Sequence, residues 1–145
     1  MATTIEDIDH VGIVVSDMDQ AIGFYTGHLG FSLLTRYKPK NTYQREMAYL
    51  RFPGRSGTKL ELYSLTSPPQ GEVSYERKIG MREIALKVAD VGGEVERLRK
   101  SGVEILAEPT FSEALGVPEG SPVRRRTRAA IKAPDGVIIG LYSWG

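Results

Sequence analysis

The fold is decided by a stretch of sequence that occurs twice in the chain. IDHVGIVVSD at residues 8–17 aligns without a gap with MREIALKVAD at residues 81–90. A second pair follows, because KLELYS at residues 59–64 aligns with IIGLYS at residues 138–143. A duplicated unit tends to place equivalent residues around a pseudo-twofold axis. The repeat therefore predicts that His10, Glu61 and Glu83 come together, with Gly140 in the fourth place.

Each half of the chain has the element order βαβββ. Runs of strand-forming residues predict strands at 8–15, 31–37, 44–52 and 58–65. Apolar residues at helical spacing predict a helix at 18–27. The second half predicts strands at 82–88, 103–107, about 123–133 and 137–143, with a helix at 91–100. We expect an α+β fold of two tandem βαβββ modules that form a curved open sheet or a barrel-like cleft. The modules are about 5–66 and 80–145, joined by a linker at about 67–79, within one domain of residues 1–145.

Length and composition narrow the class of protein. A chain of 145 residues that is 41% hydrophobic suits one compact domain. The net charge of +1 gives no electrostatic case for nucleic acid, and no apolar run predicts a membrane span. There is no cysteine, so thiolate sites and disulfides are excluded. We expect a soluble cytoplasmic protein whose partner is a small molecule, and a homodimer that covers the open sheet edges.

Strand parity places the polar candidates on one face of each module. Alternate side chains of a strand point to opposite faces. Val11 and Ile13 form an apolar face toward the helix, which leaves His10 on the other face. By the same alternation Glu61 and Glu83 face away from the helices. If that face curves into a cleft, the three side chains converge.

Cationic and phenolic side chains are predicted to line the same cleft. The repeat matches 45, 47 and 49 with 126, 128 and 130, although the register of the arginine run at 124–126 is open by one residue. Arginines and tyrosines together favour an anionic or oxygen-rich ligand. The candidate substrate-binding residues are Arg45, Tyr49, Tyr63, Arg126, Arg128 and Tyr142.

These motifs resemble the vicinal oxygen chelate superfamily, which includes glyoxalase I, methylmalonyl-CoA epimerase, extradiol dioxygenases and bleomycin-resistance proteins. The resemblance extends from about Ile5 to Trp144. It is carried by the motifs Asp9-His10-Val11, Phe24-Tyr25, Leu29-Gly30-Phe31, Leu60-Glu61-Leu62-Tyr63 and Ala133-Pro134-Asp135-Gly136. The last of these stands in place of the Asp-Pro-Asp-Gly turn of the family. One such scaffold hosts several chemistries, so the resemblance specifies the fold more closely than the reaction.

The resemblance also implies a metal site. Its ligands correspond to His10, Glu61, Glu83 and Gly140, where a histidine is usual at the third position and a glutamate at the fourth. A His-Glu-Glu set would suit a divalent ion such as Zn, Ni, Co, Mn, Mg or Fe. Glu83 and Glu61 are the candidates for moving a proton as general bases.

The leading hypothesis is a metal-dependent isomerase, epimerase or lyase that acts on a small anionic substrate through an enolate-type intermediate. Three alternatives stay open: a metal-free protein that binds a small molecule, as resistance proteins do, a metal-free acid–base enzyme, and an iron-dependent dioxygenase. Each candidate also has a structural interpretation. Glu61 could pair with an arginine, Glu83 could form a salt bridge with Arg82 or Arg45, and the tyrosines could simply line the cleft.

Overall fold

The computed structural model describes residue 6 and residues 8–40, 44–65, 81–113 and 117–145. The chain divides into two compact units, Met1–Gly71 and Glu72–Gly145. The predicted linker at about 67–79 lies outside the described residues. No helix in the described ranges is long and apolar enough to cross a membrane.

The first unit is a four-stranded mixed sheet with one helix. Its elements are β1 (His10–Val14), α1 (Met18–Gly27), β2 (Ser32–Tyr37), β3 (Gln44–Arg51) and β4 (Lys59–Leu65). The strand order is β1-β4-β3-β2, with β1 parallel to β4 and the other pairs antiparallel.

The second unit has the same order of elements. They are β5 (Ile84–Lys87), α2 (Val91–Lys100), β6 (Ile105–Glu113), β7 (Arg125–Lys132) and β8 (Ile138–Trp144). The sheet order is β5-β8-β7-β6, and β5 is parallel to β8. The predicted α+β fold with two βαβββ units is confirmed. Each sheet is open, with outer strands on both sides, so the barrel-like alternative is not observed within either unit.

Both helices begin at an aspartate that the repeat aligns. The side chain of Asp17 accepts a hydrogen bond from the backbone N–H of Gln20, and Asp90 accepts one from Gly93, each at 3.0 Å. Such a cap satisfies one of the N–H groups that a helix leaves open at its start. Gly30 and Gly102 follow the helices with φ angles of 77° and 85°, a conformation that favours glycine.

The apolar core of each unit lies between its helix and one face of its sheet. In the first unit Leu50, Leu60 and Leu62 are fully buried with Ala21 and Tyr25 of α1. The second unit buries an equivalent set, which comprises Val95, Leu98, Ile131, Ile139 and Leu141. Full burial of each large aliphatic side chain contributes about 1.5–3 kcal/mol. These alternating residues fix which side chains of the same strands face the other way.

Several predicted strand limits were wrong by a few residues. β1 begins at His10 rather than Ile8, and β7 begins at Arg125 rather than Val123. β6 differs most, because it spans Ile105–Glu113 where the sequence predicted 103–107. The strand contains Pro109, which is compatible with pairing here because β6 is an outer strand and its pairing with β7 shifts between Ala107 and Thr110. Outer strands tolerate proline at such irregular positions.

Candidate functional site

The first unit brings His10 and Glu61 together, as the sequence predicted. The pairing of β1 with β4 sets Glu61 opposite Gly12, and the pairing of β3 with β4 sets it opposite Tyr49. His10 lies two residues before Gly12 and shares its face of the sheet. This face is opposite the one that carries the buried Leu60 and Leu62.

Glu61 is the centre of this cluster. The Tyr49 hydroxyl donates a hydrogen bond of 2.7 Å to Oε2 of Glu61, and Nε2 of His10 lies 3.1 Å from the same oxygen. The other oxygen, Oε1, has no hydrogen-bond donor among the described side chains and lies beside Gly12. A Cβ added at Gly12 would approach it to 3.3 Å. The Glu61 side chain is 13% exposed, so its carboxylate is largely removed from water but has one oxygen free.

Tyr49 is held in its protonated form. Its hydrogen bond to Glu61, its burial and the negative charge of Glu61 together raise the pKa of Tyr49 to about 12. A phenol with this pKa donates a hydrogen bond across the physiological range. Tyr49 therefore supplies a donor to the cluster, not a base.

His10 is oriented from its other side by Asp9. Nδ1 of His10 lies 2.9 Å from Oδ2 of Asp9, and Nζ of Lys59 lies 3.2 Å from Oδ1. These contacts with His10 and Lys59 lower the pKa of Asp9. Sequence reasoning missed Asp9, because alternation along a strand would point it away from His10. The strand begins only at His10, so Asp9 is free of that alternation.

The second unit repeats the register of the first but carries different side chains. Gly140 lies opposite Ala85 and Ala130, just as Glu61 lies opposite Gly12 and Tyr49. Arg128 pairs with Tyr142 where the first unit pairs a methionine with a tyrosine. The predicted alignment of the two halves is therefore confirmed at these positions.

Glu83, Arg128 and Tyr142 form a closed set of hydrogen bonds, called here the unit-2 triad. The Tyr142 hydroxyl donates to Oε1 of Glu83 at 2.6 Å, and Nη2 of Arg128 donates to Oε2 at 3.0 Å. Nε of Arg128 donates to the Tyr142 oxygen at 2.8 Å. Burial acts to raise the pKa of Glu83, but the hydrogen bonds from Tyr142 and Arg128 outweigh it, and the pKa lies below its ordinary value. A carboxylate held in its ionised form in this way is a weak base, which is unfavourable for the general-base role predicted for Glu83.

The unit-2 triad needs the glycine at position 140. A Cβ placed there would lie 2.7 Å from Oε2 of Glu83 and 2.7 Å from Cε1 of Tyr142. Any larger side chain would have to displace this carboxylate and ring. Gly140 is thus explained by packing: the Glu83 carboxylate occupies the space beside it.

Three further residues were predicted to bind substrate, and the structure agrees with the predicted register for Arg126 but not for Arg45. Arg126 pairs with Trp144 and shares a face with Arg128, so the open register of the arginine run resolves toward that face. Tyr63 is half-buried beside Gly12. Arg45 is exposed and lies where the pairing of β3 with β4 shifts between Gln44 and Glu46. This irregularity breaks the predicted equivalence of Arg45 with Arg126.

The predicted ligands do not fit the four-ligand metal site that the resemblance implies. Nε2 of His10 and Oε2 of Glu61 are 3.1 Å apart, close enough for both to reach one ion at ordinary ligand distances of about 2.0–2.2 Å. Both oxygens of Glu83, however, are bound within the unit-2 triad beside a positive charge, and Gly140 has no side chain to offer. Within the described parts of the chain, no group of three or more His, Cys, Asp or Glu residues is placed to hold a metal ion.

Comparison with known proteins agrees with the fold. Residues 7–139 match the family described as the Glyoxalase/Bleomycin resistance protein/Dioxygenase superfamily. The chain is 31% identical over 136 residues to a "Probable lactoylglutathione lyase" of Vibrio cholerae serotype O1, covering 91% of this chain and 86% of that protein. It is 27% identical to a "2-epi-5-epi-valiolone epimerase" of Actinomyces sp, with 89% of each chain covered.

A solved structure has the same fold. Glyoxalase I of Leishmania major, described as trypanothione-dependent, superposes with a TM-score of 0.66 at 26% identity, covering 96% of this chain and 87% of that one. The chain therefore belongs to the Glyoxalase/Bleomycin resistance protein/Dioxygenase superfamily. Its relatives include proteins named as a lyase and as an epimerase.

Proposed function

We propose that the chain is an enzyme that isomerises, epimerises or cleaves a small, oxygen-rich, anionic substrate by moving a proton next to a carbonyl group. Glu61 is the proposed proton-moving residue. The observation that carries this proposal is the Glu61 carboxylate, largely buried, with one oxygen bound by Tyr49 and facing His10 while the other has no donor among the described side chains. The names of the lyase and epimerase relatives support the same class of reaction.

In the proposed reaction, Oε1 of Glu61 takes the proton from the carbon beside the substrate carbonyl. The electrons of the broken C–H bond pass to the carbonyl oxygen and form an enolate. That oxygen needs a hydrogen-bond donor. Tyr49, whose pKa is about 12, stays protonated and can supply one by turning its single O–H from Oε2 of Glu61 to the enolate oxygen once Glu61 has taken the proton. Return of the proton to the other face gives epimerisation, return to a neighbouring atom gives isomerisation, and expulsion of a leaving group gives cleavage.

His10 and Glu61 are the two residues that would meet a divalent ion, and the ligation predicted at Glu83 stays a prediction. The alternative that the chain binds a small molecule without turnover is favoured by one observation. In the second unit both oxygens of Glu83 are hydrogen-bonded within the unit-2 triad and position 140 has no side chain, as expected if this unit binds a ligand without reacting with it.

Proton exchange with solvent is the test of the proposed function. A panel of small 2-oxo and 2-hydroxy carboxylates is incubated with the protein in D2O, and loss of the C–H signal beside the oxygenated carbon is followed by proton NMR. We expect the wild type to accelerate exchange of at least one member. Glu61→Gln should reduce that rate by about 10²–10⁴-fold, the contribution typical of a positioned general base. Glu104→Gln, which removes an exposed carboxylate, is the matched control and should exchange like the wild type.

A homodimer is part of the proposal. The outer strand β2 has all six of its residues exposed, including Leu33, Leu34 and Tyr37. An open strand edge with apolar side chains is a surface that another chain can cover. Sedimentation equilibrium should give twice the mass of the chain, and a monomer across the micromolar range would contradict this part of the proposal.

A further inference from the structure

Two arginines of β7, Arg126 and Arg128, lie on the face of the sheet that carries Tyr142 and Trp144. They differ in whether a carboxylate neutralises their charge. Arg128 is neutralised by Glu83 within the unit-2 triad. Arg126 has no carboxylate within ion-pair distance among the described residues, and its Nε is buried without a hydrogen-bond partner. A partly desolvated guanidinium with no counter-charge favours the approach of an anion. Of these two arginines, Arg126 is therefore the one whose charge no described carboxylate balances.

An aromatic surface lies directly beside Arg126. The rings of Tyr142 and Trp144 stack with centroids 5.4 Å apart and planes inclined by 19°. The guanidinium carbon of Arg126 lies 6.0 Å from the Tyr142 centroid, and the register pairs Arg126 with Trp144 across the two strands. Tyr142 is buried, whereas Trp144 is 39% exposed and can stack with a planar ligand group.

The neighbouring arginines provide a contrast. Arg124 contacts Glu113 and Glu119, and Arg125 contacts Glu113. These two arginines line a wide, open cavity of about 590 Å³ together with the segment 119–122. Because each of them already meets a carboxylate, that cavity has no uncompensated cation to attract an anion. The difference within one run of arginines points to Arg126.

We propose that Arg126 and Trp144 form a binding subsite for a planar, conjugated or aromatic carboxylic acid. The carboxylate lies against the Arg126 guanidinium, which can donate two parallel hydrogen bonds to it. The flat part of the ligand stacks on Trp144. This subsite rests on the proposed function, because it narrows the proposed anionic ligand to planar carboxylic acids.

The chain has a single tryptophan, Trp144, so its fluorescence reports directly on this subsite. Three probes separate charge from shape: benzoate is planar and anionic, cyclohexanecarboxylate is anionic without a flat ring, and benzamide is planar and neutral. We expect benzoate to quench the fluorescence and to bind at least about tenfold more tightly than either of the others, a difference of about 1.4 kcal/mol. Isothermal titration calorimetry gives the same affinities without relying on the fluorophore.

The variant Arg126→Gln should weaken benzoate binding by at least about tenfold, because it removes the charge and the guanidinium fork. Arg125→Gln removes a neighbouring positive charge on the opposite face of the strand and should bind like the wild type. If Arg126→Gln does not fold by circular dichroism, Arg126→Lys decides the point: it keeps the charge, loses the fork, and should still bind benzoate more weakly. Equal affinity in the wild type and the folded Arg126 variant, or equal affinity for benzoate and benzamide, would overturn the proposal.

The subsite and the proposed reaction fail separately. Benzoate binding tests the subsite alone, because benzoate has no hydrogen on the carbon beside its carboxylate and cannot undergo the proposed proton exchange. If Arg126→Gln binds benzoate as tightly as the wild type, the subsite is contradicted, but the exchange assay of Glu61 is unaffected. Conversely, unchanged exchange in Glu61→Gln would remove the proposed reaction and leave a protein that binds planar acids.

Discussion

Glu61 and Gly140 occupy equivalent places in the two units, one opposite Gly12 and the other opposite Ala85. At the first place a carboxylate projects from β4 and meets His10 and Tyr49. At the second no side chain is present, and the carboxylate of Glu83 fills the space instead. Substitutions at a few equivalent positions, with glycine in place of Glu61 among them, thus distinguish the Glu61 carboxylate, whose Oε1 has no donor among the described side chains, from the fully hydrogen-bonded Glu83.

The fit around position 140 predicts the cost of adding one methyl group. Gly140→Ala should destabilise the protein by about 1–3 kcal/mol, because its Cβ would overlap Glu83 and Tyr142 and force them apart. Urea denaturation measures the change. Gly23→Ala is the matched control, since nothing lies within 4 Å of its new Cβ on α1, and it should leave stability unchanged or raise it. Equal effects of the two substitutions would contradict the role given to Gly140.

The sequence located His10, Glu61, Glu83 and Tyr142 on the correct faces, because alternation and the repeat depend on backbone geometry alone. It could not reveal which of these side chains bind one another. The unit-2 triad depends on the lengths and rotamers of Arg128 and Tyr142, which no spacing rule fixes. The role of Asp9 depends on where β1 begins. The sequence predicted a start at residue 8, whereas the strand begins at His10.

At the scale of elements, the strand pairs that carry the site residues keep a common register in the two units, apart from one shift in the first unit. The pairing of β3 with β4 shifts between Gln44 and Glu46, whereas the pairing of β7 with β8 continues without a shift to Arg126 and Trp144. The alignment of the two halves predicted the continuous part correctly. It could not predict the shift, because an irregular residue in a strand pair leaves no periodic signal in the sequence.

The unit-2 triad joins β7, β8 and the residue before β5, and it predicts a pH dependence of stability. Its contacts lower the pKa of Glu83 in the folded state below the ordinary value of 4.5. The stability contributed by a carboxylate with a lowered pKa is present above the unfolded pKa and is lost as the pH falls through the folded pKa. Wild type should therefore be more stable than Glu83→Gln at pH 7, and the difference should shrink as the pH falls below about 4.5.

Thermal or urea unfolding of both proteins between pH 3 and pH 7 measures this difference. Glu108→Gln serves as a control, because Glu108 is an exposed carboxylate that contacts Arg99 outside the unit-2 triad. A stability gap between wild type and Glu83→Gln that stays constant over the whole range would contradict the account of Glu83.

At the scale of the whole molecule, membership of the superfamily does not by itself establish a metal site. The chain belongs to the superfamily over residues 7–139, yet the side chains at two of the four expected ligand positions do not match a metal site. Elemental analysis of protein purified without a His tag, with His10→Ala as the control, tests this directly. We expect metal far below stoichiometric amounts in both proteins. Stoichiometric metal in the wild type that is lost in His10→Ala would restore the metal-dependent hypothesis, and iron would point to a dioxygenase.

Glu61 is proposed to move a proton at the carbon beside a carbonyl group, and exchange of that proton with D2O measures this step. Every member of the carboxylate panel is followed by NMR, whether or not it quenches Trp144 fluorescence. We predict that at least one of them exchanges in the presence of the wild type and of Glu104→Gln, and that Glu61→Gln slows this exchange by about 10²–10⁴-fold. Panel members that bind but do not exchange, or that exchange equally fast with Glu61→Gln, would contradict the claim.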